Sequence, residues 1–215
     1  MIKAIVFDLD GVLISSKKSA IYALRKSINS FGYNYTKTDI NQRLEKKPLD
    51  IIKTLMKKDR KNDIEKCKKI FDKIGSSKKS LDMMNAYPKI RYILKNLRKK
   101  YNLFIATNSD RKIVEKQLKT FNIKKYWKKI ICADDRFKNK QEIIKHIMKK
   151  HKLSPREVIY IGDRKIDIDV AKDVGCISVI IENKFSWGKR EKIKKGNPDF
   201  IIHKLEDLQK IAESC

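Results

Sequence analysis

The sequence predicts an α/β protein: a doubly wound parallel sheet with a helical subdomain inserted after its first strand. Three observations predict it. Short, almost wholly apolar runs recur along the chain, as strands covered on both faces require. Amphipathic helical patterns separate most of these runs, and such alternation builds parallel sheets. One gap, 15–84, is far longer than a single crossover helix needs and holds helical patterns alone.

Taken in order, the first run is Ala4–Phe7. In the gap after it, Ala20, Leu24, Ile28 and Phe31 share one helical face. Ile51, Ile52, Leu55 and Met56 share a second, and Ile64, Cys67, Phe71 and Ile74 a third. Tyr87-Pro88 then punctuates the return to the sheet. Apolar stripes at Ile90, Ile93, Leu94 and Leu97, at Val114, Leu118 and Phe121, and at Ile143, Ile144, Ile147 and Met148 predict three covering helices. They alternate with strands expected at 103–106, 130–133 and 158–161, followed by Ile177–Ile181 and a weaker run at Phe200–Ile202. Residues 1–14 and 85–215 are therefore expected to form the core, and 15–84 a cap.

Charge and cysteine usage narrow the function classes. There are 53 Lys and Arg against 26 Asp and Glu, a net charge of +27. Such a field attracts phosphate esters, nucleic acids and anionic lipid surfaces. The basic residues are spread over nearly every expected helix, which favours solvated helix faces and leaves a nucleic-acid partner open but not favoured. No membrane partner is expected, because no stretch approaches the ~20 apolar residues of a span. The apolar run at the N-terminus is too short, and too soon charged, for a signal peptide. Cys67, Cys132, Cys176 and Cys215 show no CxxC or metal-ligand spacing, so a reducing, cytoplasmic setting is expected. His146, His151 and His203 stand apart from carboxylates and cysteines in sequence and read as surface or helix residues. No pattern sets an oligomeric state.

Ligands of open α/β sheets bind beyond the carboxyl ends of the strands. The first strand ends in Asp8-Leu9-Asp10-Gly11, the second in Thr107-Asn108 and the fourth in Gly162-Asp163, with Asp167 four residues on. Lys138 and Lys140 follow the third. Carboxylates crowded on one rim repel one another unless a cation sits among them, and an all-oxygen donor set suits Mg²⁺. A cation and a lysine together suit a phosphoryl group, whose transition state needs positive neighbours. A turn at Gly11 would let Asp8 and Asp10 diverge, as a nucleophile and an acid/base partner must.

These motifs, in this order and strand context, resemble the haloacid dehalogenase-like hydrolase superfamily, in its phosphoglycolate phosphatase and β-phosphoglucomutase-like group with a helical cap. Asp8-Leu9-Asp10-Gly11-Val12-Leu13 resembles the first motif, Leu103 to Asn108 the second, and Gly162-Asp163-Arg164-Lys165-Ile166-Asp167 the fourth. The resemblance implies a phosphatase acting on a small phosphorylated metabolite. It implies that Asp8 attacks phosphorus and that Asp10 protonates the leaving alcohol and then activates water. Asp8, the backbone carbonyl of Asp10 and Asp163 would hold Mg²⁺, with Asp167 in support. Thr107 and Asn108 would bind phosphate, and a third-motif lysine would balance charge. Lys140 is preferred for that role; Lys138 fits another version of the motif. Val12, where Thr is more usual, keeps a sugar-phosphate mutase open as the alternative. Lys46-Lys47-Pro48 stands where many relatives carry Gly before Pro, and one of these lysines is expected to meet a second anionic group of the substrate. Arg164 could reach an anion, but a structural ion pair is the favoured reading; the aromatic and basic segment 184–190 could stack a base and hold phosphates, but a structural loop is favoured.

Overall fold

The computed structural model of the protein describes residues 1–44, 46–56 and 61–215. The chain opens with strand β1 (Ala4–Phe7) and the two-residue β2 (Ile14–Ser15). Helices α1 (Lys17–Asn29), α2 (Lys37–Asn41), α3 (Pro48–Leu55), α4 (Lys61–Gly75) and α5 (Lys78–Leu81) follow, and β3 (Asn85–Ala86) closes the insertion. Then come α6 (Ile90–Lys100), β4 (Asn102–Ala106), α7 (Arg111–Thr120), β5 (Lys129–Ile131), α8 (Lys140–His151), β6 (Val158–Gly162) and α9 (Lys165–Val174). The chain ends with β7 (Ile177–Ile181), α10 (Arg190–Gly196), β8 (Phe200–Ile202) and α11 (Asp207–Ser214).

Among the described residues one six-stranded sheet forms, in the order β5-β4-β1-β6-β7-β8, and every pairing in it is parallel. β1 lies inside, between β4 and β6, and all four of its residues are fully buried. Its side chains alternate as a strand's must. Ile5 and Phe7 join the apolar layer under α6, α7 and α11, whereas Ala4 and Val6 join the layer under α8 and α9. Layers on both faces explain why the strand runs carry almost no polar residues.

β5 stops two residues short of the expected 130–133 strand. The Cys132 amide turns away and donates to the Asp135 carboxylate at 2.9 Å, which ends the ladder. Phe121 falls one residue beyond α7 and packs half-buried against the core. Cys67, Cys132 and Cys176 are buried free thiols. No helix among the described residues is long and apolar enough to cross a membrane.

Among the described residues, helices α1 to α4 bury a layer of their own, which includes Leu24, Ile28, Ile51, Ile52, Cys67 and Phe71. Local causes set some of the helix starts. Thr36 and Asp39 make a reciprocal capping box for α2, and Pro48 stands at the first position of α3. The chain enters and leaves this layer side by side, because β2 and β3 pair antiparallel through Ile14 with Ala86 and Ser15 with Asn85. Ile113 of α7 joins the layer from the sheet side.

A second contact across the same boundary is ionic. Lys68 of α4 lies 2.7 Å from Asp72 and also pairs with Asp110, the residue before α7. Burial pushes the Asp72 carboxyl up from 3.8 to about 6; Lys68 opposes the rise and Asp110 adds to it. Between about pH 4 and pH 6 the unfolded chain has released this proton while the folded chain keeps it, so this group's contribution to stability falls as pH rises. Asp72→Asn is therefore expected to gain on the wild type by about 2–4 °C in thermal midpoint between pH 4.5 and pH 7.5. Parallel midpoints across that range would show that the shared lysine leaves no strain.

Candidate active site

Three loops at the carboxyl ends of β1, β4 and β6 meet over one rim of the sheet. The β1 loop turns at Gly11, where φ is +85° and an added Cβ would run into the Asp163 carboxylate. Glycine is needed there for both reasons. The turn sends Asp8 and Asp10 different ways. Asp8 faces Lys140, whose Nζ lies 2.6 Å from its Oδ2, while the Leu9 amide donates to Oδ1 at 2.8 Å. Asp10 instead accepts from the Ser109 hydroxyl at 2.6 Å and the Gln117 amide at 3.2 Å.

Lys140 is the first residue of α8, behind an Asn139 cap that accepts from the Glu142 amide at 2.9 Å. That cap aims Lys140 inward, 4% exposed, where it also reaches Asp167 at 2.9 Å. Lys138 is exposed, and its carbonyl accepts from Lys47 at 2.9 Å. The structure thus brings Lys140, and not Lys138, to the carboxylates. Asp167 sits in the first turn of α9 and accepts from the Tyr160 hydroxyl (2.9 Å) and the Arg164 amide (3.1 Å), so it caps the helix and faces the site at once.

Asp8, Asp163 and Asp167 bring carboxylate oxygens within 4.8 Å of one another, all buried. The charge is unevenly shared. Burial pushes Asp163 up to about 7, against the pull of Arg164, and the neighbouring carboxylates add to the rise. Burial likewise raises Asp8 against Lys140. Burial works on Asp167 too, but Lys140 and Arg164 outweigh it and hold that carboxyl down at about 2. Lys140 is raised, because Asp167 and Asp8 outweigh its own burial.

This donor set fits a small divalent cation. It is made of oxygen alone, it carries more negative charge than Lys140 and Arg164 balance, and Asp163 Oδ1 is buried with no hydrogen-bond partner. The Asp10 carboxylate stands outside the cluster, which leaves its backbone carbonyl as the group it could lend.

A cavity of about 70 Å³ opens beside the cluster. Asp8, Asp10, Thr107, Asn108, Arg164 and Trp187 line its floor. Thr107 accepts from the Ser109 amide at 3.1 Å, which leaves its own hydroxyl hydrogen free to donate. The roof is mostly carbon: Ala20, Ala23 and Leu24 of α1, Pro48 and Ile51 of α3, and Phe71 of α4, with Lys46 at its edge. Of the paired lysines, Lys46 lines the cavity, and Lys47 is spent on the Lys138 carbonyl.

Ser109 and Gln117 belong to no sequence motif, yet both hold Asp10. Gln117 carries a visible signal, since it is the polar residue on the buried stripe of α7 with Ile113, Val114 and Leu118. The 184–190 loop lies nearer the site than expected, because the Trp187 amide donates to Asp163 Oδ2 and its ring lines the cavity. Arg164 has its carboxylate neighbours at 3.6–3.9 Å, ion pairs without hydrogen bonds.

Residues 5–181 match the family described as haloacid dehalogenase-like hydrolase. The chain is similar to a phosphoglycolate phosphatase of Vibrio parahaemolyticus, 26% identical over 223 residues that cover 98% of this chain and 96% of that one. It is also similar to a phosphorylated carbohydrates phosphatase of Thermotoga maritima, 25% identical over 182 residues that cover 80% and 82% of the two chains. Among solved structures, a haloacid dehalogenase-like family hydrolase from Streptococcus pneumoniae shares the fold, with a TM-score of 0.83 at 24% identity over 100% of this chain and 99% of that chain.

Proposed function

The chain belongs to the haloacid dehalogenase-like hydrolase family and acts on phosphate esters, and from that premise we propose that it is a Mg²⁺-dependent phosphatase that hydrolyses a small phosphomonoester through an aspartyl-phosphate on Asp8. The observation that carries this reading is the pairing of two differently held carboxylates in one cavity. Asp8 lies against a buried ammonium, and Asp10 is fixed by two neutral donors.

In the first step Asp8 attacks phosphorus, the bond to the leaving oxygen breaks, and Asp10 gives that oxygen its proton. In the second, Asp10 takes a proton from water as the water attacks the aspartyl-phosphate. Inorganic phosphate leaves and Asp8 is restored. The Ser109 hydroxyl suits both states of Asp10, since it can donate to the carboxylate or accept from the acid. Lys140 offsets charge on Asp8 and the phosphoryl oxygens, and Thr107 and Asn108 donate to those oxygens. Asp8, Asp163 and the Asp10 carbonyl would hold Mg²⁺, with Asp167 in support; when bound, the ion supplies positive charge to the phosphoryl oxygens and relieves the crowded carboxylates. The helices over the cavity act as a cap that keeps bulk water from the first step. Their surface is mostly carbon, with Ser16, Ser19 and Lys46 as its polar groups, which suits a short leaving group whose few polar atoms reach those residues, because each unpaired polar group buried there costs about 1–3 kcal/mol.

Hydrolysis of a generic aryl phosphate is the direct test. Activity is expected with millimolar Mg²⁺, and a loss of at least about 100-fold with excess chelator, restored by Mg²⁺. Added Mg²⁺ is also expected to raise the thermal midpoint, because it binds the folded state alone. Full activity in chelator would remove the metal from the reading.

A further inference from the structure

The steps above leave one buried cation unused. Arg164 lines the cavity with Asp8, Asp10 and Thr107, and its side chain is 13% exposed. A structural arginine would sit in a bidentate pair at about 2.7–2.9 Å from a carboxylate. Arg164 does not. Its Nη2 is 3.8 Å from Asp8 Oδ2, its Nε is 3.6 Å from Asp163 Oδ1, and that buried Nε has no hydrogen-bond partner.

Other groups hold the guanidinium in place. Nη1 donates to the Leu44 carbonyl at 3.1 Å, on the cap side of the cavity, and the guanidinium carbon lies 5.7 Å from the centre of the Trp187 ring. An aromatic face fixes a guanidinium without consuming its N–H groups. The result is a cation with unspent donors beside the nucleophile. Lys140 and Arg164 approach the same Asp8 oxygen, and Oδ1 is occupied by the Leu9 amide.

We propose that Arg164 is a further catalytic residue, one that donates to the phosphoryl oxygens in transit to and from Asp8 and that the cap aims through the Leu44 carbonyl. The proposal rests on the phosphatase reading above. Charge on the transferring group spreads over its equatorial oxygens, and a guanidinium fork can meet two of them or bridge one of them to Leu44. Arg164 therefore has its full set of contacts while the segment carrying Leu44 is seated over the cavity. A substrate whose leaving group props that segment away loses a phosphoryl contact as well as its own fit.

The test compares wild type, Arg164→Ala and Arg164→Lys in Mg²⁺ with an aryl phosphate, and measures inhibition by orthovanadate, a five-coordinate mimic of the transferring group. In Arg164→Ala, kcat is expected to fall about 100-fold with KM changed only a few-fold, as for other preorganised donors to developing charge. Vanadate inhibition should weaken in parallel, and added guanidinium should recover about tenfold in rate. Arg164→Lys keeps the charge without the fork and is expected to stay at least about tenfold below wild type; it is the variant to read if the alanine protein does not fold. Turnover within about threefold of wild type in either folded variant would overturn the proposal, as would a loss that neither vanadate nor guanidinium follows. An inactive wild type would instead defeat the phosphatase reading on which the proposal stands.

Discussion

Asp8→Asn is expected to lower phosphomonoester turnover by about 10⁴-fold or more while leaving a folded protein. The amide matches the carboxylate in shape but cannot form the aspartyl-phosphate. Its oxygen can still accept from the Leu9 amide, so the β1 loop keeps its course. Stability is expected to hold or rise without metal. Asp8 is buried with Asp163 and Asp167, and Lys140 and Arg164 are the cations that face them. One carboxylate is in excess, and burial already pushes Asp8 above its usual range. A neutral residue there removes carboxylate repulsion, and Lys140, which must draw back from the new NH2, keeps Asp167 as its partner. The thermal midpoint should therefore match or exceed that of wild type in chelator, and gain less on adding Mg²⁺. An Asp8→Asn enzyme within about tenfold of wild-type turnover would assign the nucleophile elsewhere.

Asp10→Asn is expected to cost about 10²- to 10⁴-fold in kcat, unequally between substrates. The amide oxygen can still accept from the Gln117 amide, and its NH2 can donate to the Ser109 hydroxyl, so the pocket keeps its geometry. Expulsion of an aryl oxide needs little help from an acid, whereas expulsion of an alkoxide needs a proton. Attack of water on the aspartyl-phosphate needs a base in either case. With an aryl phosphate the variant should release one equivalent of phenol per site in a burst and then turn over slowly. With an alkyl phosphate the first step should itself be slow and no burst should appear. Equal losses on both substrates, with no burst on either, would remove Asp10 from the acid/base role.

The sheet was legible because burial on both faces leaves a strong mark: Ala4–Phe7 and Ile177–Ile181 carry hardly a polar atom in their side chains. The carboxylates were legible because strand ends are where an α/β sheet places ligands. Shorter elements were not. β2 and β3 have two residues each, too few for any periodicity, yet they set where the helical insertion leaves and rejoins the sheet. The end of β5 depended on a side chain three residues ahead, since Asp135 takes the Cys132 amide. The choice between Lys138 and Lys140 depended on a helix cap, because Asn139 begins α8 and turns Lys140 inward. The contacts of Ser109, Gln117 and Arg164 were invisible for another reason. Each acts on a residue or a carbonyl at least 99 positions away in the chain.

The place of β1 in the sheet has a consequence for biosynthesis. It is the first strand to be made, yet its two hydrogen-bonded neighbours are β4 and β6. Until β6 has been translated, the strand that carries Asp8 has an open edge, and Asp163 and Asp167 do not yet exist. Loop closure over so much chain is slow compared with local helix formation. The helical insertion lies entirely between β1 and β4 and needs neither strand to begin packing on itself. The helical layer can thus form before the carboxylate cluster, and no nascent chain that ends before Asp163 holds more than one of the three carboxylates.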